Sequence, residues 1–474
     1  MTRIALAVAF LLVATFSACG PPPPPSTTAT RGTDAVDASP DVSIDLRLAG
    51  SSILGERLMP ALLEAYIDSR GGRSREWIDD EGGRGRRLRV RESGGASVPL
   101  HVSIVGQNSD AAFQALARGE ADIGMASRLI SASELFSLSS RGDFKDARSE
   151  HLVALDGLAV IVNAANPVRG LTVEQITEIF SCRITDWSEV GGSPGTITLY
   201  AREGDSEIRQ VFEVLALAPE GLSDCPPASQ LPSSGELSQA VSSDPRGIGV
   251  VGLSHVQTVR AVDIIECDRT ASAPNAFTVR SGEYSLARPL YLYTPAEPGS
   301  PFVHDLIDFI LSPMGQEIVH KEGVVTLDVR PDMADPQDRR LAEAVLHTRD
   351  ADMLSKLIGI TRGAVRLAVT FRFERGGDLL DELGVGDIDR LARTLKSQAW
   401  QGRELMLLGF TDDRGDDRDN LRLSRRRAES VAQALRERGA TVGMIRGFGQ
   451  EAPVACNSNE RGAARNRRVE VWIR

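Results

Sequence analysis

With 474 residues, the chain is too long for one ordinary core and suffices for two or three domains. Its 42% hydrophobic and 25% charged content excludes a disordered or fibrous chain, and a net charge of −11 argues against general nucleic-acid binding. The charge is uneven, because residues 365–474 carry 21 Lys+Arg against 17 Asp+Glu, a balance of +4 that leaves −15 for the rest.

At the N-terminus Arg3 precedes an apolar run from Ile4 to Phe16 and then Ser17-Ala18-Cys19-Gly20. A positive start, about a dozen apolar residues and small residues before a cut describe a secretory signal too short to span a bilayer. Phe-Ser-Ala-Cys resembles a bacterial lipobox. The resemblance implies a signal peptide over residues 1–19, a lipid on Cys19 and a membrane partner. Gly20 rather than Asp after the cysteine implies the periplasmic face of the outer membrane. In that oxidising compartment one disulfide is expected among Cys182, Cys225 and Cys267, with the partners left open, and Cys456 is the fourth candidate. No CxxC or HExxH occurs and the six histidines are scattered, so no metal, cofactor or catalytic residue is expected.

Residues 20–42 hold five consecutive prolines followed by Ser, Thr, Ala and Asp, the composition of a solvated tether. At roughly 3 Å per residue such a segment reaches about 60 Å. Over residues 43–327 the pattern becomes apolar strands alternating with amphipathic helices. Strands are predicted at Asp45–Ala49, Val102–Val105, Ala121–Met125 and Leu158–Val162, and helices through Leu58, Leu62 and Leu63 and over Ala111–Ala117. That alternation predicts mainly parallel sheets and enough chain for two lobes.

Five stretches carry a resemblance here: Gly50-Ser51-Ser52, Ala121 through Arg128, Leu171 through Phe180 with Ile184-Thr-Asp-Trp187, Arg202 through Ser206, and Arg246-Gly-Ile-Gly249 with Tyr284 through Leu290. Over about 280 residues they resemble the substrate-binding protein of phosphate ABC transporters. The resemblance implies two α/β lobes on a hinge, enclosing phosphate or a similar small anion. A dehydrated oxyanion needs backbone N–H groups, small hydroxyls and an arginine. At the matching positions these are Ser52, Ser109, Ser127, Arg128, Arg202 and Ser206. Two departures stand out. Ile53 replaces a threonine of the first loop, and Ser206-Glu207-Ile208 replaces Ser-Gly-Thr, setting a carboxylate where the anion would lie. An acid there costs affinity unless it turns outward or meets a protonated phosphate, and Arg128 is placed to offset it.

Residues 328–364 read as a charged connector with helical stretches near Leu341–Leu346 and Met353–Leu357. From Val365 a second α/β unit is predicted, with strands Leu367–Phe373, Leu405–Phe410 and Arg468–Ile473 and helices Asp387–Leu395 and Asn420–Arg438. Its motifs are Gly409-Phe-Thr-Asp-Asp-Arg-Gly415, Asn420-Leu-Arg-Leu-Ser-Arg-Arg-Arg-Ala-Glu-Ser-Val431, Gly447 through Pro453, and Asn466-Arg-Arg-Val-Glu470. In order and spacing they resemble the OmpA C-terminal family, with Phe410 where histidine is usual. The peptide stems of peptidoglycan present a diaminopimelate ammonium and carboxylate on one carbon. An acid and a guanidinium fork suit that pair. The resemblance assigns Asp412 and Arg427 to it, with Arg467 assisting and Asn420 counted in the same peptidoglycan-binding set. Asn420 is expected to cap the helix, Arg427 to flank its buried stripe, and Arg425 and Arg426 to form a solvated face.

The expected architecture is therefore α/β throughout: a two-lobed periplasmic binding protein-like domain, then an α/β sandwich resembling OmpA. The expected function is non-enzymatic, an envelope lipoprotein that captures a small anion and grips peptidoglycan. The alternative is a structural link between outer membrane and wall whose middle domain is a spacer or protein-docking module.

Overall fold

The computed structural model describes residues 44–71, 74–79, 85–91, 100–203, 206–214, 225–266, 270–298, 300–330, 344–345, 348, 350–377, 380–397, 400 and 402–474. Cys19, the proline tether, Cys267 and most of the connector lie outside them. Strand β1 (Ile44–Ser51) alternates Leu46 and Leu48 inward with Arg47 outward, where Arg47 pairs with Asp122 at 2.8 Å. It lies parallel to β4 (Leu100–Gln107) and β5 (Ile123–Ala126), while β2 (Ser74–Asp79) and β3 (Gly85–Arg91) extend the edge antiparallel. Helices Met59–Ser69 and Pro301–Leu311 cover this half, burying Leu62, Leu63, Leu306 and Ile310.

The thirteen-residue β6 (Glu150–Val162) is buried along almost its whole length, as a strand sandwiched on both faces must be. The second half builds from it. It comprises β7 (Gly170–Thr172), β8 (Thr198–Arg202), β9 (Ser229–Leu231), β10 (Gly247–Gly252), β11 (Arg260–Ala261), β12 (Asp263–Glu266) and β13 (Thr270–Ser272). The chain then returns through β14 (Ala287–Tyr293), antiparallel to both β5 and β6. The main sheet therefore runs β2-β3-β4-β1-β5-β14-β6-β10-β8-β9, with β11 also on β6 and β13-β12-β7 apart. Leu158, Val160, Leu171, Ile176, Trp187 and Ile248 form the core of this second lobe.

The expectation of mainly parallel pairing fails at β6, β14 and the β2–β3–β4 edge. There the chain doubles back, and hydrophobic periodicity carries no strand direction. Among the three middle-domain cysteines, Cys182 and Cys225 form the disulfide, and Cys456 is disulfide-bonded as well.

At the C-terminus β15 (Val365–Arg372), β16 (Leu405–Gly409), β17 (Met444–Gly447) and β18 (Arg468–Ile473) order as β15-β18-β16-β17. Helices Glu382–Leu395 and Asp417–Glu437 bury Leu391, Ala428, Val431 and Leu435 against Val369, Phe371 and Val471. This unit is bolted to the second lobe by buried charge. Arg280 forks onto Asp387 at 2.7 and 3.0 Å, Arg366 meets Glu283, and Arg465 reaches Glu266 at 2.5 Å.

Two histidines carry a pH dependence. Burial, reinforced by His304, pushes His151 down to about 4, and burial with Arg57 lowers His255 too. The unfolded chain binds these protons at the ordinary value and the folded chain does not. Stability should therefore rise with pH between about 4 and 6.5, by about 3 kcal/mol for His151. Urea midpoints across that window should rise less steeply in His151→Gln than in the wild type. Identical slopes would exclude His151 as the source.

Candidate functional site

Three hydroxyls of the first lobe come from three different elements. Ser51 ends β1, Ser109 opens helix Ser109–Arg118 behind its Asn108 cap, and Ser127 follows β5. Parallel pairing of β1 with β4 and β5 brings the ends of these strands to one edge, as open α/β sheets do at ligand crevices. All three hydroxyls donate to one carboxylate from the second lobe. Ser51 Oγ lies 2.5 Å from Glu207 Oε2, and Ser109 Oγ and Ser127 Oγ each lie 2.8 Å from Glu207 Oε1. Ser127 N–H also donates to Ser109 Oγ at 3.0 Å, fixing that rotor. Glu207 is 2% exposed, so its acid turns into the cleft rather than outward.

The other residues proposed for an anion divide. Ser52, Arg202 and Ser206 line an adjoining cavity of about 50 Å3 together with Glu56, His255 and Arg288. Arg202 donates to Ser234 Oγ at 2.9 Å and to the Pro232 carbonyl at 2.8 Å. Among the described residues, Arg202 Nε and Arg288 Nη1 are buried donors without a partner. Arg288 is otherwise spent on Asp156, its cross-strand neighbour, at 2.7 Å. Burial raises the Glu56 carboxyl above the usual range, with Arg202 opposing and Glu207 adding to the shift.

Arg128 does not offset Glu207. It forks onto Glu134 at 2.7 and 2.9 Å, bonds Asp110, and stacks 5.2 Å from the Phe113 ring. Two nearer carboxylates and an aromatic face satisfy the guanidinium locally, and the Glu134 hydrogen bond raises its pKa. Ser51, adjacent to the expected Ser52, is the hydroxyl that reaches the carboxylate. The alternation of β1 is the signal for it, since even positions 46 and 48 face the core.

In the C-terminal unit Asp412 is buried in the loop after β16. Its Oδ2 accepts from Arg467 Nη1 at 3.0 Å, and Arg467 Nη2 continues to Glu460 at 2.9 Å. Glu460, which the motifs did not single out, sits in the first turn of the helix Glu460–Asn466. Arg427 is fully buried. Its Nε and Nη2 donate to the carbonyls of Gly377 and Glu374 at 3.0 and 3.1 Å, and it lies 5.1 Å over the Phe373 ring. Arg467 Nε donates to the Phe373 carbonyl at 3.2 Å. One segment, Phe373–Gly377, thus links the two arginines, and Arg467 links that segment to Asp412.

Asn420 is not the cap. Asp416 accepts from the N–H groups of Arg418 and Asp419, and Asn420, one turn inside, donates to the Arg414 carbonyl at 3.1 Å. An acid is the better cap at the positive end of a helix. Arg425 and Arg426 are exposed as expected. Phe410 stacks on Phe448 at 5.7 Å beneath Arg468 at 4.1 Å, so the departure from histidine fills an apolar cluster.

Residues 95–314 match the PBP superfamily domain, and residues 372–467 match the OmpA family. The phosphate-binding protein PstS of Pseudomonas aeruginosa is 27% identical over 248 residues, which are 49% of this chain and 76% of that one. The peptidoglycan-associated lipoprotein of Pseudomonas putida is 34% identical over 110 residues, 23% of this chain and 64% of that protein. A crystal structure of an ABC-type phosphate transport receptor from Vibrio cholerae is 24% identical with a TM-score of 0.45, covering 59% of this chain and 99% of its own.

Proposed function

We propose that this chain, which joins a PBP superfamily domain to an OmpA family domain, is a lipid-anchored envelope protein that presents an oxyanion-binding cleft while tethered to peptidoglycan. Its ligand is phosphate or a similar small anion. The observation that carries the cleft reading is the convergence of Ser51, Ser109 and Ser127 on one carboxylate between the lobes. Three hydroxyl donors on a single pair of charged oxygens is the geometry an oxyanion requires, since donors to charged acceptors make the stronger hydrogen bonds. The unpartnered Arg202 and Arg288 donors beside it support the same chemistry. Non-enzymatic capture is consistent with the named relatives, which are binding proteins.

On the wall side, Asp412 would accept the diaminopimelate ammonium and Arg427 its carboxylate, with Arg467 holding Asp412 in place and Asn420 bracing the loop through the Arg414 carbonyl. Lipid on Cys19 would hold the other end at the outer membrane. Confinement between two surfaces raises the effective concentration of the receptor at the wall.

The oxyanion half is tested by calorimetric titration of the full chain with phosphate, sulfate and nitrate. A saturable one-to-one isotherm for phosphate is expected. One observation favours the second reading, a structural link whose middle domain is a spacer: the hydroxyl cage is already filled by Glu207. No heat with any oxyanion, from the wild type or from a chain lacking the Glu207 carboxylate, would leave that reading alone standing.

A further inference from the structure

Glu207 belongs to the second lobe, in the short helix Glu207–Phe212, yet its side chain makes its hydrogen bonds to the first. The three donors lie at the ends of β1 and β5 and at the start of the helix Ser109–Arg118, all in the first lobe, whose core includes Leu48, Ile104 and Ile123, so the cage keeps its shape independently of the partner lobe. A carboxylate carries the same charged oxygens, at the same donor distances, as one edge of a tetrahedral oxyanion.

We propose that Glu207 is a resident, covalently attached surrogate for the ligand: its carboxylate occupies the oxyanion position, clasps the two lobes shut in the ligand-free chain, and sets the affinity by having to be displaced. This rests on the oxyanion reading of the cleft. Four consequences follow physically. Ser51, Ser109 and Ser127 each already donate to the Glu207 carboxylate, so closure needs no external anion. A phosphate cannot take the Ser51, Ser109 and Ser127 donors while the Glu207 carboxylate holds all three, and an ionised phosphate beside it is also repelled. Entry therefore swings Glu207 out, and the adjoining cavity lined by Ser52, Arg202 and Ser206 is the space through which the exchange runs. The exchange moves no covalent bond; one charged acceptor replaces another.

The test uses the full chain with inorganic phosphate as probe and the variants Glu207→Ala and Glu207→Gln. Phosphate should bind Glu207→Ala at least about tenfold more tightly than the wild type, since hydrogen bonds to a charged group are each worth roughly that factor. Glu207→Gln, which keeps an acceptor without the charge, should fall between them. In small-angle scattering the phosphate-free Glu207→Ala chain should have the larger radius of gyration and contract when phosphate is added, while the wild type stays the same. Phosphate should also raise the melting temperature of Glu207→Ala more than that of the wild type, because three buried hydroxyls regain an acceptor. Equal phosphate affinity in wild type and Glu207→Ala would overturn the clasp and leave the oxyanion cleft standing. Binding by neither folded variant would overturn both. If Glu207→Ala does not fold, a Glu207→Gln chain that binds no more tightly than the wild type would also overturn the clasp.

Discussion

Asp387→Ala is expected to be among the most destabilising single substitutions in the chain, lowering stability by about 3–5 kcal/mol. Asp387 is fully buried and receives both terminal nitrogens of Arg280, itself 1% exposed in side chain, along with Arg390 at 2.9 Å. Removing the acid leaves a guanidinium in a site from which water is excluded, where the Leu327 carbonyl still accepts from it at 2.8 Å. The cost is the stranded charge more than the lost attraction, so the double variant Arg280→Met/Asp387→Leu should recover most of the loss. Because the pair joins the second lobe to the C-terminal unit, thermal unfolding should pass from one transition in the wild type to two in Asp387→Ala. A single variant within about 1 kcal/mol of wild type would show the pair to be far less desolvated than its burial indicates.

The second large effect concerns the wall. Asp412→Asn keeps the shape of the loop but removes the charge that would meet an ammonium, and it also weakens the pair with Arg467. Binding of a diaminopimelate-containing stem peptide should fall by about 30-fold or more, the equivalent of roughly 2 kcal/mol for a desolvated charged contact. Arg427→Ala should match it, with an added loss of stability because the Glu374 and Gly377 carbonyls lose their donors. Arg425→Ala, on the exposed face, is the control and should leave the affinity unchanged. Calorimetry on the three variants, each checked by thermal unfolding, separates a ligand role for Asp412 and Arg427 from a purely structural one. Unaltered peptide affinity in a folded Asp412→Asn chain would refute the assignment.

Much of this was legible in the residues. The strands at Leu405–Gly409 and Arg468–Ile473, and the long helix with its stripe of Ala428, Val431, Ala432 and Leu435, follow from periodicity and were expected within a few positions. The cleft hydroxyls Ser109 and Ser127 come from the match to the phosphate-binding family rather than from local pattern. What escaped is instructive in physical terms. Choosing Ser52 over Ser51 turns on one step of side-chain alternation at the end of β1, where the strand gives way to a helix. Several Asx residues compete between Asp412 and Asn420, and the choice of Asp416 as cap depends on where the Gly415 turn, at φ +94°, releases the chain. Arg128 was expected beside Glu207, but Asp110 and Glu134 lie closer in the fold. The direction taken by Glu207 could not be read locally, since the residues it meets lie 80 to 156 positions away.

On the proposed function the chain is held at the cell wall through its OmpA family domain, with its cleft in the periplasm. Co-sedimentation of the full chain with purified sacculi, with and without excess diaminopimelate stem peptide, tests it most directly. Protein is expected in the pellet, released to the supernatant by the peptide and absent from the pellet for the Asp412→Asn chain. Protein that stays in the supernatant throughout, or that pellets regardless of peptide and of Asp412, would contradict it.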